Sequence, residues 1–366
     1  MRPGLSSMIM KGALLFGALG FPLAFGNHAV AKATKACFVY VIPVGKVGFT
    51  YQHNKGRLEM EKAMAGKVKT SFVENVPEGP DAERVIREMA VSGCKAIFAT
   101  SFGYMNHMQK VAQQFPDVAF LHATGYKSNN SNFSNYNARF YQGRYVNGVV
   151  AGKMTKSNIL GYVASFPIPE VLQGINAFVL GARSVNPSAR VRVIWVNSWN
   201  DPGRERSAAQ TLISQGADIL THHTESTATV QAAAEKGKFA FGYHSDMSKY
   251  GQKTHLSATI HEWGDYYTKV MRRIINNDWK PENIWGGYKE GMIKTAQLNS
   301  VVPVDIKASV AKIEQRLKAG SFKVFSGPIR NQDGKLVLED GETMDDKTIN
   351  SINYYFEGVE SKLSNK

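Results

Sequence analysis

The chain has 366 residues, of which 43% are apolar, 20% charged and 11% aromatic. At roughly 150 residues per domain that is room for two domains with sizeable cores, which excludes a disulfide-stapled miniprotein, a fibrous rod and a disordered chain. Lys and Arg outnumber Asp and Glu by 14, yet the basic residues are scattered. With no long basic run, no zinc-finger or RNP-like spacing and no basic helix interleaved with aromatics, a nucleic-acid partner is not expected.

The first segment is a compartment signal. Arg2 and Lys11 precede an apolar stretch, Gly12 to Gly26, and the small-residue site Ala29-Val30-Ala31 follows. This order describes a secretory signal over residues 1–31 that is cleaved on export, and the stretch falls short of the roughly 20 residues a membrane span needs. The expected product is exported to the periplasm with no direct membrane insertion after cleavage. In that oxidising compartment Cys37 and Cys94 have two outcomes open to them, one disulfide or two buried thiols.

From Ala36 onward, short β-rich runs alternate with helical patterns. Expected strands are Cys37 to Pro43, Val68 to Asn75, Cys94 to Thr100 and Val118 to Ala123. Expected helices cover about Tyr51 to Ala65, from Asp81 to the stop at Gly93, and Tyr104 to Phe115. Near-continuous apolar strands separated by helices predict a parallel sheet covered on both faces. The polar segment Lys127 to Asn137 reads as a surface loop or short edge. The same grammar then restarts with strands Ile159 to Ser165, Val191 to Asn197, Ile219 to His222 and Phe239 to Tyr243, linked by helices from about Pro169, Gly203 and Thr227. A helix from about Gly264 to Asn277, a strand-like stretch from Ile284 to Ile293 and a helix from about Val304 to Ala319 complete the pattern.

The expected architecture is therefore α/β, with two Rossmann-like lobes on parallel central sheets around a hinged cleft. Lobe 1 is residues 33–156 plus about 258–283, lobe 2 is 157–257 plus about 284–350, and 351–366 is a tail.

Ligands of open α/β sheets bind beyond the carboxyl ends of the strands. Those ends carry Phe49 and Tyr51 after the first strand, then Phe102, Phe166, Asn197 with Trp199, and His244 with Asp246. Aromatic faces with a few polar groups make a cleft for a small planar molecule. Trp263 opens the helix that follows, either as cleft lining or as a core residue. His222, His223 and His244 lack the spacing of a metal site, so no metal or cofactor is expected. There is no G-x-S-x-G elbow, cysteine nucleophile signature or carboxylate pair, and Glu170 and Asp201 read as helix caps. An enzyme is not expected.

The segments VGKVGFTYQHNKG (44–56), ATSFGYM (99–105), FPIPEVLQGINAFVLGARSVNP (166–187), VIWVNSWNDPGRE (193–205), SQGADILTHHT (214–224), FAFGYHSDMSKYG (239–251) and SGPIRNQDGKL (326–336) together resemble the basic membrane protein family of ABC-transporter substrate-binding proteins. The resemblance implies a type I periplasmic-binding-protein fold, a purine or purine nucleoside as ligand, and an ABC permease as partner. It implies that Phe49 stacks on the purine; closure of the two lobes is then expected to bring an aromatic such as Trp199 onto the other face and to strengthen polar contacts of Asn197 and Asp246. Asn106 stands where the family often has a carboxylate for the base. Tyr40, and Ile260 or His261, stand where nucleoside binders have an Asp and a Lys, and His244 replaces the first Asp of a G-x-D-x-D run. With the ribose-holding side chains missing, a free base, adenine first, is expected over a nucleoside. A sugar or autoinducer on the same fold, or a secreted nucleoside hydrolase, are the alternatives.

Overall fold

Alternation along the first strand shows how the first sheet is buried on both sides. In the computed structural model, which describes residues 33–363, β1 (Thr34–Val39) sends Ala36 and Phe38 into one core and Cys37 and Val39 into another. The expected signal segment lies outside the described residues. The chain continues through α1 (Phe49–Ala63), β2 (Val68–Val73), α2 (Pro80–Val91), β3 (Ala96–Ala99), α3 (Met105–Ala112), β4 (Ala119–Ala123), β5 (Phe133–Ala138) and α4 (Phe140–Met154). Helix α2 buries Ala82, Val85, Ile86, Met89 and Ala90, the spacing of one helical face. Cys37 and Cys94 are disulfide-bonded, with Cα atoms 6.0 Å apart.

The second half repeats the plan with β6 (Ile159–Ala164), α5 (Pro169–Arg183), β7 (Arg190–Trp195), α6 (Pro202–Ser214), β8 (Ile219–His223), α7 (Ala228–Glu235), β9 (Phe239–His244) and β10 (His255–His261). Then come α8 (Gly264–Ile275), β11 (Ile284–Gly286), β12 (Ile293–Thr295) and α9 (Val304–Lys318). The sheets have matching orders, β11-β5-β4-β3-β1-β2 and β12-β10-β9-β8-β6-β7. All pairings are parallel except β10 with β12. In each sheet the strand order reverses between the first and third strands of its half, and such switch points open a crevice at the carboxyl ends.

Helices α4 and α5 pack along the seam at backbone distance. A Cβ on Gly148 would lie 2.2 Å from the Phe178 carbonyl, and one on Gly181 2.2 Å from that of Tyr145. Only glycine permits this approach, and both helices are buried on most of their faces.

Four stretches depart from the sequence expectation. The Asn-rich stretch ends in a buried strand, β5, inside the first sheet. Its asparagines serve local backbone, since Asn132 Nδ2 donates to the carbonyls of Ala112, Phe115 and Val118. The strand-like run from Ile284 to Ile293 is two strands, of which β11, expected in the second lobe, pairs in the first sheet. Ala258 to His261, expected in the first lobe, belong to β10 of the second sheet. Residues 351–363, read as a tail, pack against the second sheet. Val359 bridges Val191 in parallel, and Trp195 Nε1 donates to the Tyr355 hydroxyl at 3.0 Å.

Candidate ligand-binding cleft

Both switch points open into one cavity between the sheets. Val41 and Phe49 reach it from beyond β1, Ser101 and Phe102 from beyond β3, and Thr124 from beyond β4. The second lobe supplies Glu170 after β6, Trp199 after β7, His223 and Glu225 at and after the end of β8, and His244 at the end of β9. The carboxyl ends of both sheets therefore face each other across one enclosed space.

Phe49 opens α1 and is ringed by histidines. His53 lies edge-on at 4.3 Å between ring centroids, His244 at 5.3 Å and His261 at 6.3 Å. Trp199 leans on Phe166, centroids 4.9 Å apart, so Phe166 backs the wall rather than lining the space. The indole Nε1 of Trp199 is buried without a hydrogen-bond partner among the described residues. His53, His223, His244 and His261 are held well below the usual histidine range by complete burial, so all four rings are neutral at physiological pH.

The lobes are bridged where they meet. Glu225 Oε2 accepts from Thr50 N at 3.0 Å and Glu225 Oε1 from the Thr50 hydroxyl at 3.4 Å, so the second lobe caps the N-terminus of α1, which has no side-chain cap of its own. Ser245 Oγ accepts from Gly48 N at 2.9 Å, Asn137 Nδ2 donates to Glu170 Oε2 at 3.0 Å, and Gln52 Nε2 donates to the His261 carbonyl. Gly48 has φ +99, and a Cβ there would lie 2.9 Å from the Glu225 carbonyl oxygen. Burial raises the carboxyls of Glu225 and Glu170 to about 7, only partly offset by the hydrogen bonds from Thr50 and Asn137.

Of the side chains expected at the site, the cavity gathers Phe49, Phe102, Trp199 and His244. Tyr51 is not on its wall: two residues along α1 from Phe49, it points about 200° around the helix. Asn197 follows the edge strand β7, away from the switch point, and sits exposed at φ 48 in a separate surface groove with Asp201 and Arg204. Asp246 is exposed and accepts from Ser248 N at 2.8 Å, closing its own turn. Trp263 is a core residue, stacked on His53 at 4.6 Å and 11°. Asn106 is exposed and bonded to Lys127, and Tyr40 is buried against Phe38 and Phe72.

Asp201 caps α6 as expected, accepting from Arg204 N. Glu170 does not cap α5. It stands in the first turn but its carboxyl faces the cavity. Sequence reasoning missed Glu225 as well, and treated His223 as an ordinary strand-end residue. The available signal for Glu225 was the bare glycine at the start of α1, which leaves a helix end needing an acceptor from elsewhere.

Two lobes of one topology, closed on a small cavity lined by aromatic rings, define a ligand receptor of the two-lobed binding-protein class. The sequence comparisons place it further. A family described as ABC transporter substrate-binding protein PnrA-like matches residues 33–324. The chain belongs to that family, whose members are substrate-binding proteins rather than enzymes.

It is 52% identical to a purine-binding protein of Brucella abortus strain 2308, over 94% of this chain and 97% of that one. It is 33% identical to a putative ABC transporter glucose-binding protein of Haloferax volcanii, over 92% of this chain and 83% of the other. Among solved structures it resembles an ABC transporter solute-binding protein of Aeropyrum pernix K1, with TM-score 0.69 at 15% identity over 87% of this chain and 96% of that one. It also resembles a transcriptional activator of the comK gene from Bacillus halodurans, with TM-score 0.68 at 23% identity over 79% and 99%. At those identities the structural likenesses bear on the fold alone.

Proposed function

We propose that this substrate-binding protein works in the periplasm, captures a free purine base, adenine first, between its lobes, and delivers it to an ABC permease. The observation that carries the reading is the makeup of the cavity. Phe49 and Phe102 from one lobe and Trp199 from the other supply aromatic rings, and the polar side chains beside them are Ser101, Thr124, Glu170, Glu225 and the neutral rings of His223 and His244. A flat heterocycle gains about 1–3 kcal/mol per stacked base from such faces and needs only a small number of edge contacts. The purine-binding relative at 52% identity supports the same ligand class.

Capture follows from the hinge. With the lobes apart, α1 lacks its cap and the cavity is open to water. Closing around a ligand forms the Thr50–Glu225 and Gly48–Ser245 bonds together with the stacking contacts, so ligand and closure stabilise each other. The closed outline is then the form a permease distinguishes from the empty one. The disulfide and the signal-like residues 1–31 fit an exported protein.

The glucose-binding relative favours a second reading, a sugar site. Sugar hydroxyls call for several Asp, Asn and Arg side chains. Among the described residues the cavity wall holds no Asn, Asp, Arg or Lys, which weighs toward the base. Isothermal titration calorimetry with adenine, adenosine and glucose tests this. The expected order is adenine tightest, and adenosine or glucose binding at least as tightly would overturn it.

A further inference from the structure

Among the described residues, Glu170 is the one carboxyl on the cavity wall that does not cap a helix from across the cleft. Its Oε2 accepts from Asn137 Nδ2 at 3.0 Å. Its Oε1 accepts no hydrogen bond among the described residues and stands 3.6 Å from His223 Nε2, beyond hydrogen-bond reach. We propose that Glu170 reads the edge of the bound purine as a neutral carboxylic acid, presenting one donor and one acceptor together, and so selects adenine over guanine; this rests on the purine reading above.

The surroundings argue for the acid form. The groups around Glu170 are His223 from β8, Asn137 from β5, Tyr162 from β6 and Tyr243 from β9, and, among the other residues lining the cavity, His244 and Glu225. The cation behind them, Arg144, is already committed. It donates to Thr221 Oγ1 and to the His222 carbonyl and lies 3.4 Å over the ring of Tyr243. His223, buried and neutral, offers no positive charge. An ionised Glu170 would keep one oxygen without a donor in a largely aromatic enclosure, which is why burial raises it to about 7.

The chemistry then discriminates. Adenine places an N6 amino donor beside the N7 acceptor. A carboxylic acid matches that pair with its O–H on the ring nitrogen and its carbonyl on the amino group. A carboxylate, an acceptor twice over, matches only the amino group and sets its second oxygen against a lone pair. Guanine carries adjacent N–H donors at N1 and N2, which suit the carboxylate. Adenine affinity should therefore require the proton, and guanine affinity should not.

The test is a titration of the mature full-length protein with adenine and with guanine, followed by Trp fluorescence, at pH 6 and pH 8. A group with a value of about 7 is about nine-tenths protonated at the lower pH and one-tenth at the higher. The expected result is an adenine affinity that falls by about tenfold or more from pH 6 to pH 8 relative to that of guanine. Glu225 also changes its proton on closure, but it acts on every ligand alike and cancels from this ratio. In Glu170→Gln, whose amide is a permanent donor and acceptor, adenine binding should persist and the ratio should lose its pH dependence. A ratio that is the same at both pH values in the wild type overturns the proposal, whatever the folding of the variant. So does a Glu170→Gln protein, folded by its melting curve, that keeps the wild-type slope. Binding of neither purine at either pH overturns the purine reading and this proposal with it.

Discussion

Replacing Gly48 with alanine probes the closure step at the point where the lobes come closest. The added Cβ would lie 2.9 Å from the Glu225 carbonyl oxygen, 3.2 Å from its Oε2 and 3.3 Å from its Cβ, all on the other lobe. These contacts exist only in the closed form, and the nearest is backbone that cannot swing aside. Overpacking of this kind costs about 1–3 kcal/mol. Because ligand binding is linked to closure, that cost appears as a loss of about 5- to 150-fold in affinity at 1.4 kcal/mol per decade. The positive φ of 99 adds a second cost of about 1–2 kcal/mol that is present open or closed and lowers the melting temperature of the free protein by a few degrees. Calorimetry against adenine measures the first effect and a thermal melt without ligand the second. A Gly48→Ala protein with a lowered melting temperature but wild-type affinity would refute the reasoning, since it would mean that the ligand is held without this contact.

Other perturbations have separate signatures. Phe49→Ala should remove the stacking face on the first lobe and weaken a purine by about 1–3 kcal/mol, read as a 5- to 150-fold rise in Kd by fluorescence titration; an unchanged Kd would remove Phe49 from the site. Cys37→Ala with Cys94→Ala opens a loop spanning 57 residues and should cost about 4 kcal/mol in urea unfolding by the chain-entropy estimate, with ligand affinity unchanged; a large affinity loss would show that the bond shapes the cleft. Acidification should destabilise the protein. Burial lowers seven histidines, His53, His122, His222, His223, His244, His255 and His261, with His122 at about 4 and His222 at about 3. Below pH 6.5 the unfolded chain takes up protons these rings refuse, each titration costing up to about 1.4 kcal/mol per pH unit. Glu170, Glu205 and Glu225, raised by burial, act oppositely above pH 4.5 but are three against seven. The urea midpoint should fall between pH 6.5 and 5, and a flat or rising midpoint would contradict this.

The two-lobe plan was legible because both halves place short apolar strands, buried on two faces, between helices with a one-sided apolar pattern. Strand β5 was not, because Asn129 and Asn132 spend their polar groups on neighbouring backbone and give a buried segment the composition of a loop. Position at a strand end pointed to Phe49, Phe102, Trp199 and His244, which the fold brings to the cavity wall. It failed for Asn197 and Asp246, whose strands end equally well but whose side chains turn to solvent, a direction set by strand order and local turn rather than by residue type. Glu170 was hidden for a related reason. An acidic residue in the first turn after Pro169 has the same local signature whether it serves the helix end or the cavity, and only the opposite lobe, through Asn137, decides between them.

The most direct measurement of the central claim is mass spectrometry of small molecules released by denaturing the protein as purified from its native host. The account predicts an unmodified purine base, adenine foremost, at a stoichiometry approaching one per chain, with far less of it recovered from the Phe49→Ala variant. Recovery of a sugar in that proportion, or of no heterocycle from protein that then fails to bind adenine in solution, would contradict it.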